Sequence, residues 1–169
     1  MRQEITFNAD EALCKVIQRW RNWLLRERLY SKYTVDAYSR DLAIFLRKSK
    51  ADKALSLQDL EAFEVQDFRR FLSTRAAQYI SKSSMGRELS AVRSFFKWMD
   101  VNGVLKNQAI SVISSPRKAK ILPKALDVDD AFKILDETQK AAKSEWLGLR
   151  DKAIFMLLYG CGLRISEAL

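Results

Sequence analysis

The sequence predicts an all-α protein, on two observations. Apolar residues recur every three to four positions along most of the chain, the period of a helix with one buried face. No segment sustains the every-other-residue alternation that a half-buried strand requires. Of the 169 residues 48% are hydrophobic and 30% charged, a composition that excludes disordered and collagen-like chains. The length fits one domain or two small ones, at about 100–200 residues per domain.

The first helix is expected from Leu13, Val16, Ile17, Trp20 and Leu24, with Asn8 as N-cap and Glu11 three residues on, the spacing of a capping box. The second starts near Ser31 and turns Val35, Tyr38, Leu42, Phe45 and Leu46 inward. Val65, Phe68, Phe71 and Leu72 mark the third. The fourth begins near Ser81–Ser83, buries Met85, Leu89, Val92, Phe96 and Met99, and stops at Asn102–Gly103, where glycine supplies the left-handed residue that ends helices. Four amphipathic helices joined by short polar turns make a bundle of about 100 residues. There is no internal repeat.

Both prolines, Pro116 and Pro123, fall within 114–125, and no acidic residue lies between Asp100 and Asp127. With Arg117, Lys118, Lys120 and Lys124 this reads as a basic linker. The expected organisation is a helical domain over 1–113, a linker over 114–126 and a second segment over 127–169. In that segment Val128–Thr138 predicts a helix with Ala131, Ile134 and Leu135 inward, and Leu149–Tyr159 predicts another. Residues Ala153 to Tyr159 are apolar on every face, so that helix is expected to be buried on all sides. Ile165–Leu169 begins a third. The 43 residues after position 126 are near the size below which a lone domain closes its core with difficulty, so the expectation is an incomplete second domain and a truncated protein.

The charge is uneven. The whole chain carries +9, but residues 127–169 hold six basic and eight acidic side chains, leaving 24 basic against 13 acidic in 1–126. A basic first portion fits a polyanion partner. No apolar stretch approaches the roughly 18–20 residues that span a bilayer, and the N-terminus has no signal pattern, so a soluble, cytoplasmic protein is expected. Cys14 and Cys161, far apart, make no disulfide framework. The absence of histidine removes Ser-His and Cys-His nucleophile pairs, and no metal or other cofactor is expected.

Two constellations carry chemistry. The fourth helix has a second face made of Ser83, Arg87, Ser90, Ala91, Ser94 and Lys97. Small residues let a backbone approach a duplex closely, and arginine reaches a guanine edge or a phosphate; a merely solvated face has the same composition. Lys32, Thr34, Arg40 and Arg47 lie away from the apolar stripe of the second helix, and Trp20, Phe45, Phe95 and Phe96 sit at core spacing. The second constellation is Tyr159-Gly160-Cys161-Gly162-Leu163-Arg164-Ile165-Ser166-Glu167. An apolar helix breaks at two glycines, and the next opens with Arg164, which can hold a phosphate together with backbone N–H groups. Glu167 is placed to fix that arginine from behind, although an exposed Arg–Glu pair at a helix start reads the same way.

These segments, with the pattern Thr34…Tyr38…Asp41-Leu42…Phe45, the run Arg87-Glu88-Leu89-Ser90-Ala91-Val92-Arg93-Ser94-Phe95-Phe96 and the exit Leu122-Pro123-Lys124, resemble the tyrosine recombinases of the phage-integrase family, and within it the Xer-type enzymes that resolve bacterial chromosome dimers. The resemblance implies a four-helix SAM-like core-binding bundle, then the first helices of a catalytic domain, the two clamping duplex DNA at a recombination site. Arg164 matches the first of the family's catalytic arginines, which hold the scissile phosphate, and Glu167 its supporting acid. The candidate DNA contacts, read from the two helix faces and the basic linker, are Lys32, Thr34, Arg40, Ser83, Arg87, Ser90, Ser94, Lys97, Arg117, Lys118 and Lys120. Gln108 and Cys161 depart from the usual pattern. The family's lysine hairpin, His-x-x-Arg motif and nucleophilic tyrosine have no counterpart, since Tyr30, Tyr33, Tyr38, Tyr79 and Tyr159 all precede Arg164. The resemblance further implies strand exchange without metal or high-energy cofactor, in a tetramer with a second recombinase subunit or paralogue and away from membranes. Two other readings stand beside it: a stand-alone DNA-binding or regulatory module, and an inactive remnant of a recombinase gene.

Overall fold

The apolar stripes of the first hundred residues become buried or half-buried helix faces. The computed structural model describes residues 5–49, 53–116 and 127–168, so the linker cations Arg117, Lys118, Lys120 and Lys124 lie outside the described residues. The chain divides into two units, Met1–Ala119 and Lys120–Leu169. The first contains α1 (Glu11–Arg26), α2 (Lys32–Ser49), α3 (Leu57–Glu61), α4 (Val65–Ala77), α5 (Lys82–Val101) and α6 (Ala109–Val112). The second contains α7 (Val128–Ala141), α8 (Glu145–Gly160) and α9 (Ile165–Ala168). The architecture is all-α; among the described residues the sole extended pairing is a parallel bridge between Ala9 and Leu55.

That bridge corrects the first N-cap. Asp10 N–H donates to Leu55 O at 2.8 Å and Leu55 N–H to Asn8 O at 3.2 Å, holding residues 8–10 extended, so the helix starts two residues later than Asn8 would allow. Asp10 is the cap, its carboxylate accepting from Leu13 N–H at 2.7 Å. The Asn8 side chain donates instead to Lys53 O at 3.1 Å. The α5 stop falls where expected, with Gly103 at φ +64° and Val104 N–H donating to Met99 O at 2.9 Å. The one-turn helices α3 and α6 are too short to show a period, although α3 carries a capping box in which Ser56 and Asp59 satisfy each other's backbone N–H at 3.0 and 3.2 Å.

Phe45 of α2 anchors the core of the first unit. Its ring stacks on Phe68 at 5.7 Å and meets Phe63, Phe71 and Phe96 edge-on at 5.1 to 6.3 Å. Trp20 of α1 packs edge-on against Phe95 of α5 at 5.3 Å. Leu13, Leu42, Leu46, Val92 and Met99 are fully buried around them.

In the second unit α7 and α8 pack as a hairpin. Ala131 and Leu135 are buried, but Ile134 is 41% exposed and does not face inward as expected. Gly148 permits the close approach: a Cβ there would lie 2.7 Å from the backbone oxygen of Gln139. Lys152 ties the pair, donating to Asp136 and Gln139 at 3.1 Å each. Helix α8 begins at Glu145, four residues before the expected start; its first turn, Glu145-Trp146-Leu147-Gly148, ends in a glycine, a residue that argues against a helix interior on sequence alone. The expected all-round burial of α8 is not met, since Leu149, Phe155, Met156, Leu157 and Tyr159 are 42 to 54% exposed. A helix hairpin covers each helix along one seam, which leaves the other sides of α8 to solvent.

Phe45→Ala should destabilise the first unit by about 3–5 kcal/mol, measured by urea unfolding, because it removes the ring that Phe63 and the aromatic residues of α4 and α5 all touch.

Candidate nucleic-acid interface

Helix α5 runs along the bundle with nine buried residues on one side and a small, basic strip on the other. At 3.6 residues per turn Ser83, Arg87, Ser90, Ser94 and Lys97 fall within an arc of about 80° and about 21 Å of helix length. Ser83, Arg87, Ser90 and Lys97 are exposed and Ser94 is half-buried. Ala91 does not belong to this strip: it is fully buried, about 80° of helix rotation from Ser83.

Arg87 is not a freely swinging cation. Its Nε donates to Asp41 Oδ2 at 2.8 Å and its Nη2 to Asp41 Oδ1 at 3.1 Å. The Asp41 side chain is 2% exposed while that of Arg87 is 56% exposed, so a buried acid on α2 holds a surface arginine on α5. Burial pushes the Asp41 carboxyl above the usual carboxylate range, with the Arg87 guanidinium working against that rise; the same bond raises Arg87. The next residue repeats the arrangement with signs exchanged. Glu88, 2% exposed, accepts from Arg75 Nε at 2.9 Å and from Nη2 at 2.5 Å. Two adjacent residues of α5 are thus forked to α2 and to α4.

Beside Arg87 lies a shallow hollow of about 350 Å³ lined by Tyr38, Ser83, Ser84, Gly86, Arg87 and Ser90. The Tyr38 phenol, a hydrogen-bond donor at neutral pH, is raised further above its ordinary value by burial. Hydroxyls, an arginine and no carboxylate among these lining residues suit an acceptor-rich ligand such as a phosphate or a base edge. Ser94 and Lys97 line a second hollow of about 330 Å³ with Trp23, Arg28, Tyr30 and Trp98, where Arg28 lies over the Trp23 and Tyr30 rings at 5.7 and 5.8 Å.

The α2 candidates divide. Lys32, Arg40 and Arg47 are exposed and share one side of the helix, and none has an ion pair among the described residues. Thr34 is half-buried, its hydroxyl 3.0 Å from that of Ser31, on the side that carries Tyr38 and Asp41. Sequence reasoning missed Asp41 and Glu88 as determinants of the site. Their signal was present: a carboxylate amid a buried apolar stripe needs a charged partner. Arg93 was missed too, its guanidinium donating to Ile113 O and, at 2.8 Å, to Ser115 Oγ, which pins the segment just after α6.

In the second unit Glu167 accepts from Arg164 Nη1 at 2.9 Å and from the Arg164 backbone N–H at 2.8 Å. The Arg164 side chain is 82% exposed, at the start of the four-residue α9 and after Gly162 at φ +63°. The expected pairing of these two residues is therefore present. Among the described residues no cluster of three or more metal-ligating side chains occurs, and no helix is long and apolar enough to cross a membrane.

Comparison with known proteins adds a second line. Residues 17–101 match the family described as "Phage integrase, N-terminal SAM-like domain". A tyrosine recombinase XerC from Rhodospirillum centenum is 42% identical over 165 residues, covering 96% of this chain and 48% of that protein. Relatives of the same name from Rickettsia prowazekii and Rickettsia typhi are each 36% identical over 162 residues, covering 95% of this chain and 53% of theirs. The chain spans about half the length of these curated relatives. No solved structure matches it.

Removing Arg87 strands a buried carboxylate, so Arg87→Ala should cost about 3–5 kcal/mol at pH 7. A carboxyl whose folded pKa lies above its unfolded value contributes less stability as pH rises through that interval. The deficit of Arg87→Ala against Asp41→Asn/Arg87→Ala should therefore shrink as the pH is lowered toward 5. Thermal melts of the two variants across this range check it.

Proposed function

Since the chain belongs to the phage-integrase family and has Xer-type tyrosine recombinases among its relatives, we propose that it is the DNA-binding half of a site-specific recombinase. The observation that carries this reading is the α5 strip: a helix face of small residues and cations, with its arginine fixed from below, on a portion of the chain with eleven more basic than acidic residues. In this reading α5 enters a major groove, and Lys32, Thr34, Arg40, Ser83, Arg87, Ser90, Ser94 and Lys97 contact bases and backbone. Arg117, Lys118 and Lys120 add contacts to phosphates without regard to sequence.

The full reaction is strand cleavage and rejoining. A tyrosine attacks a phosphodiester, a phosphotyrosyl link conserves the bond energy, and arginines stabilise the charge growing on the phosphoryl oxygens. Arg164 is assigned to that phosphate and Glu167 to holding Arg164, a geometry supported by their two hydrogen bonds. The chain is organised as a core-binding domain over 1–113, a linker over 114–126 and the first segment of the catalytic domain over 127–169. It works in the cytoplasm, in chromosome dimer resolution at cell division, in a tetramer with a second recombinase subunit.

Duplex binding by the 169-residue chain should fall steeply with salt. With about 6–10 phosphate contacts the affinity drops roughly 10³–10⁵-fold between about 50 and 200 mM; a flat titration in an anisotropy assay overturns the electrostatic basis of the reading. The chain alone should give no denaturant-resistant band with a nicked suicide duplex, because all five tyrosines precede Arg164. A band would move one of them into the nucleophile's role.

A further inference from the structure

Asp41 contacts no DNA in the reading above, yet it determines what Arg87 can offer. A guanidinium presents two forks, a side-on one through Nε and Nη2 and an end-on one through Nη1 and Nη2. Asp41 consumes the side-on fork. What remains is Nη1 with the second N–H of Nη2, on a side chain that is 56% exposed and lines the Tyr38–Ser83–Ser90 hollow. The acid cannot move aside easily, being 2% exposed on α2 and next to the fully buried Leu42. The helix that carries Arg87 is held in rotation by the neighbouring fork between Glu88 and Arg75.

We propose that Asp41 is a positioning residue for DNA recognition. It holds the Arg87 guanidinium in one plane, so that only the end-on fork meets a ligand with two adjacent acceptors. Two sources in a duplex present that chemistry, the O6 and N7 atoms of guanine and two oxygens of one phosphate. The inference rests on the DNA-binding reading and deepens it. Aspartate suits this task because both its oxygens accept, whereas asparagine accepts through one oxygen and its amide repels the second guanidinium N–H. Arginine without the acid samples many rotamers, and each contact it then makes must offset the entropy of ordering it.

The test is a double-mutant cycle in the 169-residue chain, read by fluorescence anisotropy on two probes: a duplex selected by the wild-type chain from a random-core pool, and the unselected pool itself. Asp41→Asn should weaken binding to the selected duplex by roughly 5–100-fold. In the Arg87→Ala background the same substitution should add no more than about twofold, since its effect passes through Arg87. A loss confined to the selected duplex assigns the fork to a guanine edge, and an equal loss on both probes assigns it to a phosphate. If Asp41→Asn weakens binding as much without Arg87 as with it, or leaves wild-type binding unchanged, the positioning role is overturned while the DNA reading stands. If the wild-type chain binds neither probe, the DNA reading falls, and this inference with it. Should Arg87→Ala fail to fold, Arg87→Lys completes the cycle, because an ammonium keeps the charge and cannot form the fork.

Discussion

The first unit is organised around two buried carboxylates that had to be paired. Asp41 and Glu88 are each 2% exposed, and an unpaired charge at such depth costs several kcal/mol. Each is met by a forked arginine, and the two forks sit on consecutive residues of α5 and reach different helices. Buried pairs of this kind add little net stability over an apolar substitute. Their consequence is geometric: they fix how α5 is rotated against α2 and α4, and so which of its residues face outward.

The same helix carries the core on its other side. Met85, Leu89, Val92, Phe95, Phe96, Trp98 and Met99 are buried, and the Phe45 cluster and the Trp20–Phe95 contact close around them. Packing at this density leaves no room for α5 to roll. The outward strip from Ser83 to Lys97 is therefore presented rigidly, which a recognition surface needs if its contacts are to discriminate. Arg93 ties the segment after α6 to the same helix, through its bonds to Ile113 and Ser115.

The second unit has a different character. Its α7–α8 hairpin has a seam made possible by Gly148, but α8 keeps six large apolar side chains 42 to 67% exposed. Arg164 is oriented by one contact pair, with Glu167, and is otherwise open. This arginine is held from one side, in contrast to Arg87, whose partner is buried and whose helix is fixed from two directions.

Helix identity, the aromatic core and the basic charge balance of residues 1–126 were legible in the sequence, because they rest on local period and on charge counts. The Arg164–Glu167 pairing was legible too, being three residues apart at a helix start. The N-cap was misread at Asn8, since Asp10 is chosen by the bridge from Ala9 to Leu55, 46 positions along the chain. Ala91 was misassigned because it lies at the border of the strip, about 80° of helix rotation from Ser83, where a small side chain suits either face. The state of Arg87 depended on the fold in the same way. The sequence by itself determined that an arginine stands on the outer face of α5; only the tertiary structure decided that Asp41, also 46 positions away, holds it. Local pattern reports which face a residue occupies, whereas a charged partner is selected by packing between helices, and no period along the chain encodes it.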